Sequence, residues 1–425
     1  MHVLFLTHYF PPEVNAPASR TFEHCSRWVR AGHQVTVITG APNCPTGVVF
    51  DGYRNAWRTE EEQAGIRVIR VWTYLSANKG FLRRILNFVS YLLTAVWCAL
   101  WLRKVDVVVA TSPQFFCGWA GVLCHWLRRW PFVLEIRDIW PESIVAVGAM
   151  RRSPAMWFLE WLERRMYAAA DYIVTVGDGY RGQLLERRVP AEKIAVIPNG
   201  VDLDAFRPQP PDRDLREQWH GAGKFVCAYI GTIGMAHGLE VVLTAAKKLH
   251  DDDRDDIQFW IVGDGAERAR LEQLAVAERL DNITFTGMIP KSQVDRVLAS
   301  CDACLVHLRG TELFGTVIPS KVFETMAMNV PIIMGVRGQA QDIVLGGRGG
   351  LPMIPDDANS LLQCLDEVAR QPQEYSRGRD HVARHFNRDE LAMRLLDIVT
   401  AVAKGQRPVA TPAAATTEIR PSRAA

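Results

Sequence analysis

The sequence lacks a strong net charge, paired cysteine motifs and a secretory signal. Its 49 Lys and Arg nearly balance 47 Asp and Glu, and we expect no nucleic-acid partner. Its nine cysteines are scattered, and the one C-x-x-C motif, Cys301 to Cys304, has no second pair and no histidines at ligand spacing. No secretory signal precedes the first strand-like residues. We therefore expect a reduced, cytoplasmic protein in which these two cysteines are buried and structural.

Acidic metal-binding motifs are also lacking. No D-x-D cluster stands at a predicted strand end, and the run Asp251-Asp252-Asp253 is typical of a solvated helix end. We accordingly predict no metal ion and no cofactor.

The small net charge conceals two unlike halves. Residues 1–200 carry 23 Lys and Arg against 16 Asp and Glu, a net +7, which leaves 26 against 31, a net −5, for residues 201–425. Eleven of the thirteen tryptophans also precede residue 200. Basic and interfacial aromatic side chains favour contact of the first half with an anionic membrane surface. A large aromatic core is the alternative interpretation.

Apolar runs alternate with helix-period stretches twice along the 425 residues. The first series of predicted strands comprises 3–6, 35–39, 67–72, 105–110, 132–136, 172–176 and 194–197, and the second comprises 225–231, 258–262, 283–286, 303–307 and 331–334. Two β/α series predict two Rossmann-like α/β domains. Clustered prolines near 201–214 indicate the boundary. We assign 1–205 to the first domain and 206–387 to the second, with a helix at about 388–403 that can return to the first domain and a disordered tail at 404–425.

Residues 85–102 contain no charge and are bracketed by Arg83-Arg84 and Arg103-Lys104. This length allows a short membrane-spanning helix. However, Asn87, Ser90, Tyr91 and Thr94 form a mildly polar stripe at helical spacing. The second interpretation is therefore a helix that is partly buried in the first domain or dips into the membrane interface.

Loops after predicted strands are where ligands bind in open α/β sheets. In the first half, one such loop leads through Asn15 and Ala16 to Arg20 and into a predicted helix. A phosphate or a sugar can approach backbone N–H groups at such a helix start, and a structural turn is the alternative. Another such loop contains Arg137, Asp138 and, further on, Glu142. Asp138 can orient or deprotonate an acceptor hydroxyl, and Arg137 can hold phosphate. The alternative is a structural Arg–Asp pair.

In the second half, residues 231–238 carry three glycines between a predicted strand and a predicted helix, a pattern that can cradle a diphosphate. Another helix start follows at 316–324, where Ser320 is a candidate cap and Lys321 is placed to meet a phosphate. Glu324, one turn later, can accept hydrogen bonds from a ribose.

Five motifs in the expected order resemble the landmarks of glycosyltransferase family 4: PNGVDLDAF at 198–206, IGT at 230–232, VGDG at 262–265, FTG at 285–287 and FETMA at 323–327. The resemblance covers about residues 1–403. It implies the GT-B fold, in which two Rossmann-like domains face each other across a crevice. It also implies transfer of a sugar from a nucleotide donor with retention of anomeric configuration.

A narrower resemblance is to bacterial transferases of surface-polysaccharide assembly, of O-antigen or capsule, that add N-acetyl-L-fucosamine to a lipid-linked intermediate. It is carried by FPPE at 10–13, NCPTG at 43–47, SANKG at 76–80 with Arg83-Arg84, RDIWPES at 137–143 and PSK at 319–321.

The sequence departs from the family at the diphosphate. Where family members usually have Arg and Lys, this chain has Thr232 and His237. Glu324 matches the second glutamate of the family's E-x7-E pattern, but Thr316 stands eight residues earlier and Glu312 twelve. The residue that takes the place of the first glutamate of this pattern is therefore not identified. Lys321, Arg137 and backbone amides are the candidates to neutralise the phosphate charge.

The resemblance implies a donor site at Gly231, Thr232, His237, Gly263, Ser320, Lys321 and Glu324, with Gly287 and Met288 offering backbone to the base. It implies an acceptor side in the first domain, where we place Asn15, Ala16, Arg20 and Glu142. The expected partners are a nucleotide sugar, taken to be a UDP-sugar, and a saccharide acceptor linked to polyprenyl diphosphate. The enzyme would then lie peripherally on the inner face of the cytoplasmic membrane. A nucleotide-sugar epimerase with the same fold and an inactive membrane-associated scaffold are the alternatives.

Overall fold

The chain divides into two compact units. The computed structural model describes residues 1–44, 46–75, 81–112, 115–139 and 154–408. Within the described residues, the first unit comprises Met1–Pro198 and 389–408, and the second comprises Asn199–Arg388. The division therefore falls at Pro198, a few residues before the boundary at 205 that the sequence suggested.

An eight-stranded sheet forms the first unit. Its strands are β1 His2–Leu6, β2 Gln34–Gly40, β3 Arg58–Gln63, β4 Ile66–Val71, β5 Val107–Thr111, β6 Phe132–Ile136, β7 Tyr172–Thr175 and β8 Ile194–Val196. They lie in the order β3-β4-β2-β1-β5-β6-β7-β8. Every neighbouring pair is parallel except β3 and β4. Most of these strands are apolar on both faces because helices cover both faces of the sheet.

The helices of this unit lie on opposite faces of the sheet. They are α1 Ala16–Arg30, α2 Phe81–Leu100, α3 Phe115–Arg128, α4 Pro154–Ala169 and α5 Asp178–Glu186. The last four pack with Leu4 and Leu6 of β1, whereas α1 packs with Val3 and Phe5. The alternation follows from the two-residue period of a strand.

A six-stranded parallel sheet forms the second unit. Its strands are β9 Phe225–Ile230, β10 Ile257–Val262, β11 Ile283–Gly287, β12 Ala303–His307, β13 Ile332–Gly335 and β14 Gly350–Pro352. Its helices are α6 Arg213–Gln218, α7 Glu240–Asp251, α8 Arg268–Ala277, α9 Val294–Ala299, α10 Lys321–Ala327, α11 Gln339–Gly346, α12 Ala358–Arg370 and α13 Gly378–His385. The strand order β11-β10-β9-β12-β13-β14 reverses direction between β9 and β12. Ligands of such sheets bind beyond the carboxyl ends of the strands at that reversal.

The final described helix, α14 Arg388–Ala403, returns to the first unit. Leu391 and Leu395 are buried beside Val3 and Trp28. The indole of Trp28 donates a hydrogen bond to the carbonyl of Ala392 at 2.9 Å. Most of the tail expected at 404–425 lies outside the described residues.

All twelve predicted strands are present, which confirms the two Rossmann-like α/β domains. Two observed strands were missed. Polar β3, with the sequence RTEEEQ, gave no apolar signal, and β14 has only three residues. The segment at 85–102 forms most of α2. Among the described helices, none is long and apolar enough to cross a membrane.

Candidate active site

Three glycines of the predicted donor site meet where β9, β10 and β11 end. The N–H of Gly263 donates to the carbonyl of Gly287 at 2.9 Å. Gly231 and Gly263 have φ of +142° and +141°, and a Cβ added to Gly263 would lie 1.9 Å from the carbonyl oxygen of Gly231. Only glycine allows this approach of two backbones. The ends of β9 and β10 are therefore packed backbone against backbone at this edge.

The turn after β9 differs from the predicted strand-to-helix turn. A short 3-10 segment, Met235–His237, follows the glycines, and helix α7 begins only at Glu240. The hydroxyl of Tyr229 donates to the carbonyl of Thr232 at 2.6 Å. The guanidinium Nε of Arg309 donates to the carbonyl of Met235 at 2.7 Å. Side chains from β9 and from the loop after β12 therefore hold the shape of this turn.

Lys321 lies directly under the turn. A Cβ placed on Gly231 would be 2.8 Å from its Nζ, and the same Nζ lies 3.9 Å from the centre of the Tyr229 ring. This ammonium is buried and has no hydrogen-bond partner among the described residues. Burial lowers the pKa of Lys321 to about 8, against the negative charge of Glu324, which raises it. A buried cation without a partner at a glycine turn is well placed to receive an anion.

His237 is the second basic residue of the turn. Its ring contacts the Tyr229 ring edge-on at 6.0 Å between centroids. Its Nδ1 is buried and has no partner within the described chain. Burial and the nearby charge of Lys321 lower the pKa of His237 to about 4, so the side chain is neutral near pH 7.

The other predicted donor residues lie on the same edge. Glu324 is in the first turn of α10, three residues after Lys321 and therefore on the same side of that helix. Met288 directly follows Gly287 and is 75% exposed. Ser320 precedes α10, but the expected cap is wrong: its own backbone is already helical, and its side chain makes no capping hydrogen bond in the part of the chain that the structure describes.

In the first unit, a buried charge cluster ends strand β6. Glu135 is 1% exposed and accepts hydrogen bonds from Arg20 Nε at 2.8 Å and from the hydroxyl of Thr111 at 2.6 Å. Burial alone would raise the pKa of Glu135, but the positive charges of Arg20 and Arg137 lower it to about 2. Burial lowers the pKa of Arg137 to about 10, and Glu135 opposes that change. The carboxylate therefore stabilises two buried guanidinium groups.

The predicted acceptor-side residues have distinct positions around this cluster. Arg20 also donates to the carbonyls of Ile197 and Pro198, each at 2.9 Å. Its guanidinium therefore links the end of β6 to the chain that follows β8. Asn15 caps α1 through its side chain, which accepts from the N–H of Ala18 at 2.9 Å, and Ala16 is the first residue of that helix. Glu142 lies outside the described residues.

Arg137 and Asp138 are positioned by a single hydroxyl. Ser112, 4% exposed at the end of β5, accepts from the N–H of Arg137 at 2.9 Å and donates to the carbonyl of Asp138 at 3.3 Å. Arg137 Nη1 is buried and unpartnered within the described chain. Burial and the charge of Asp138 raise the pKa of Tyr180 to about 12, which keeps this phenol protonated.

Glu13 joins two of the motifs that carried the narrower resemblance. Its carboxylate accepts from the N–H groups of Asn43 and Cys44, both at 3.0 Å, and from that of Phe10 at 3.3 Å. A hollow of about 540 Å³ lies beside this junction, lined by Pro12, Thr46, Val48, Val49, Phe50, Asp51 and Tyr53.

Tyr229 and Ser112 were not predicted as functional residues, and Glu135 was placed at the strand end beside Arg137 and Asp138 without a role of its own. A glutamate inside an otherwise apolar strand was a signal for Glu135, since a buried carboxylate requires a cationic partner. No local pattern identifies Tyr229 or Ser112, because their roles depend on neighbours distant in sequence.

The expected structural role of the cysteines agrees with their burial. Cys301 and Cys304 are both buried, and burial raises the pKa of each thiol. Among the described residues, no three His, Cys, Asp or Glu are grouped to hold a metal ion.

The sequence is similar to known glycosyltransferases over most of its length. Residues 15–200 match the model of the glycosyl transferase 4-like domain, and residues 224–371 match that of glycosyl transferases group 1. The putative colanic acid biosynthesis glycosyl transferase WcaI of Escherichia coli is 28% identical over 77% of this chain and 81% of its own length. A GDP-mannose-dependent alpha-mannosyltransferase of Mycolicibacterium smegmatis is 26% identical over 83% of this chain and 84% of its own.

Solved structures agree with this assignment at the level of the fold. A sucrose-phosphate synthase from Thermosynechococcus elongatus superposes with a TM-score of 0.75 at 18% identity, over 95% of this chain and 100% of that one. Anabaena HepE in complex with UDP and glucose gives 0.69 at 19% identity, over 94% and 99%. The two family models together span well over half of the chain, which therefore belongs to glycosyltransferase family 4 as a GT-B hexosyltransferase of the kind found in bacterial polysaccharide biosynthesis.

Proposed function

We propose that the protein transfers a sugar from a UDP-sugar to a lipid-linked saccharide, with retention of anomeric configuration, during assembly of a bacterial surface polysaccharide. The observation that carries this proposal is the buried, unpartnered ammonium of Lys321 beneath the turn at Gly231. An anion bound beside this cation would offset the cost of burying it. The diphosphate of a nucleotide sugar has the required charge.

The chemistry follows from where charge develops. Cleavage of the glycosidic bond passes through an oxocarbenium-like state, so the main task is to stabilise the departing diphosphate. Lys321 and the backbone at Gly231 and Gly263 would meet that charge. Asp138 would orient or deprotonate the acceptor hydroxyl in the first unit, and Arg137, with its buried Nη1, would hold a phosphate of the acceptor.

The nucleoside would lie on the backbone at Gly287 and Met288, with its ribose on Glu324. A Cβ placed on Gly287 would be 3.1 Å from Nη1 of Arg268, so this guanidinium borders the proposed base site. HepE was solved with UDP, whereas the mycobacterial relatives are GDP-mannose-dependent. We favour UDP and, from the narrower resemblance, an N-acetyl-L-fucosamine-type sugar. A thermal-shift screen of UDP- and GDP-sugars tests this choice: stabilisation by GDP-sugars alone would contradict it.

An inactive scaffold is the alternative that a specific observation favours, because Thr232 and His237 replace the family's Arg and Lys. Lys321 offers a substitute charge at the same turn. Nucleotide binding without transfer to any lipid-linked acceptor would support the scaffold, and conversion of a UDP-sugar without acceptor would support an epimerase.

We also propose that helices α2, α3 and α4 bind an anionic bilayer. Helix α3 packs against both α2 and α4, and all three share one face of the first sheet. Their outer side, here called the tryptophan face, exposes these apolar residues: Leu86, Leu93, Trp97, Trp101, Trp126, Leu127, Trp157, Phe158 and Trp161. Exposed basic residues accompany them: Arg83, Arg84, Arg103, Lys104, Arg128, Arg129, Arg164 and Arg165.

This combination favours a lipid surface. Tryptophans and leucines insert into the headgroup region, and each basic residue near an anionic surface adds about 1 kcal/mol. Attachment would be reversible and peripheral, on the inner face of the cytoplasmic membrane. A polyprenyl-linked acceptor supplies a reason, because its chain remains in the bilayer.

Co-sedimentation with vesicles tests the attachment. Wild-type protein should bind vesicles containing phosphatidylglycerol, and added salt should weaken binding because it screens exposed charges. The double variant Trp97→Glu/Trp157→Glu should lose binding. The matched control Val276→Glu, at an exposed apolar position on α8 of the second unit, should retain it. Equal binding by both variants would contradict the assignment of this face.

A further inference from the structure

Two basic nitrogens without hydrogen-bond partners adjoin one turn of the second unit. Nζ of Lys321 and Nδ1 of His237 are both buried, and neither has a partner among the described residues. A Cβ placed on Gly231 would be 2.8 Å from the first, and one placed on Gly234 would be 3.5 Å from the second. The ring of Tyr229 contacts both side chains. One small anion at this turn can therefore influence both nitrogens.

Besides burial, Lys321 and His307 are the ionisable groups that lower the pKa of the His237 ring. From β12, His307 accepts the N–H of Asp356 through Nε2 at 2.9 Å, so its Nδ1 carries the proton and donates to the carbonyl of His237 at 2.7 Å. That arrangement holds His307 neutral. From β9, Tyr229 presents its ring, and from α10, Lys321 presents its ammonium.

The remaining neighbours are the turn itself and the loop after β12. The carbonyl of Gly234 accepts the N–H of His237 at 2.9 Å. Arg309 binds the turn through the carbonyl of Met235, while its charge is paired with Glu240 at 3.0 Å. No carboxylate forms an ion pair with the His237 ring in the part of the chain that the structure describes. The ring is therefore neutral in the free protein because its surroundings disfavour a second cation beside Lys321.

A bound diphosphate reverses this balance. An opposite charge a few ångströms away favours the ionised form of a base, and this effect is stronger in a partly buried site than in water. The negative charge would offset the repulsion from Lys321 and the cost of burial together. His237 would then accept a proton from solvent at its ring and become a cation that donates to a phosphate oxygen.

We propose that a nucleotide sugar takes up a proton as it binds at the Gly231–Gly238 turn, and that His237 receives this proton. The inference rests on the proposed donor site. It explains how the turn can lack the family's Arg and Lys: the site carries one cation when empty and two when loaded. His237 therefore acts as a conditional substitute for a permanently charged lysine.

Calorimetric titration measures the linked proton directly. Binding enthalpy is recorded near pH 6.5 in two buffers of different ionisation enthalpy, with UDP-glucose and GDP-mannose as probes, and the slope gives the protons exchanged. Both phosphates of these probes are esterified, so they remain ionised throughout. Lys321 is already protonated at this pH, since its pKa is about 8. Wild-type protein should take up more than half a proton for each ligand bound.

Three variants assign that proton. His237→Gln should bind more weakly and take up almost none. His237→Lys should bind without uptake, because its charge is already present. His250→Gln, at an exposed position at the end of α7, should behave as wild type.

The outcomes separate this inference from the donor site itself. Binding with no proton uptake, or uptake that persists in His237→Gln, would overturn the inference and leave the donor site intact. Failure of both nucleotide sugars to bind would overturn both.

Discussion

Lys321 combines a cost to stability with a benefit to function. Its buried ammonium lacks a hydrogen-bond partner within the described chain, so the folded protein holds a charge that water would solvate better. Lys321→Met should therefore raise the free energy of unfolding near pH 7, by up to about 3 kcal/mol. Nucleotide binding and turnover should fall, because the same charge meets the diphosphate.

The pH dependence has a definite sign. The folded pKa of Lys321 is lowered from 10.5 to about 8, so between these values the unfolded chain binds more protons. Stability of the wild type should rise with pH through that window. The difference between wild type and Lys321→Met in urea unfolding should accordingly shrink between about pH 7 and pH 10. A constant difference would mean that Lys321 already has a partner in solution.

Glu135 has the opposite effect on stability, because its removal takes away the buried carboxylate whose charge stabilises Arg20 and Arg137. Glu135→Gln should lower the free energy of unfolding at neutral pH by about 3–5 kcal/mol. The carboxylate's folded pKa is lowered from 4.5 to about 2, so its stabilisation is complete above about pH 4.5 and is lost as the pH falls toward 2. Urea unfolding at several acidic pH values measures both effects. Glu62→Gln, at an exposed position on β3, should change stability by less than about 0.5 kcal/mol.

At the scale of single elements, the strand-end glycines define the donor site. Gly263→Ala would place a Cβ 1.9 Å from the backbone oxygen of Gly231, so β9 and β10 would have to separate. We expect a loss of more than about 2 kcal/mol together with weaker nucleotide binding. Gly223→Ala is the control: its φ is also positive, at +73°, but nothing lies within 4 Å of the added atom. It should cost only about 1 kcal/mol. Equal losses of stability in the two variants would mean that the requirement for glycine at position 263 comes from its positive φ and not from the close approach of Gly231.

The same elements show how far the sequence could predict the fold. Apolar strands such as β1 and β9 are evident because both faces of a parallel sheet are buried. Strand β3 was missed because it lies at the sheet edge and consists of polar residues. The turn after β9 was predicted at the correct residues, yet Gly238, with φ of +55°, delays the helix to Glu240.

Only those site residues that lie in sequence motifs could be predicted. Gly231 and Gly263 directly follow β9 and β10, and Gly287 ends β11. These three strands are neighbours in the sheet, so the meeting of the glycines follows from the topology. The stacking of Lys321 on Tyr229 joins residues far apart in sequence, and no periodicity records it. The Ser112 hydroxyl that positions Arg137 and Asp138 is likewise a product of tertiary packing.

For the whole molecule, the two units differ in charge and surface as their proposed tasks differ. The first unit contains the tryptophan face and most of the positively charged half, which suit an acceptor anchored in an anionic bilayer. The second contains the glycine edge and Lys321, which suit a nucleotide sugar. Each proposed task is therefore supported by features of the unit that would perform it.

The most direct test is a transfer assay with purified full-length protein, a panel of UDP-sugars and a polyprenyl-diphosphate-linked saccharide. The account predicts that one UDP-sugar glycosylates the acceptor with its anomeric configuration retained, as read by NMR of the product. In the same assay, Glu324→Ala should weaken the apparent donor affinity about tenfold to a hundredfold, the value of a hydrogen bond between a ribose and a charged group. Conversion of the donor without acceptor, inversion at the anomeric carbon, or nucleotide binding with no transfer would contradict it.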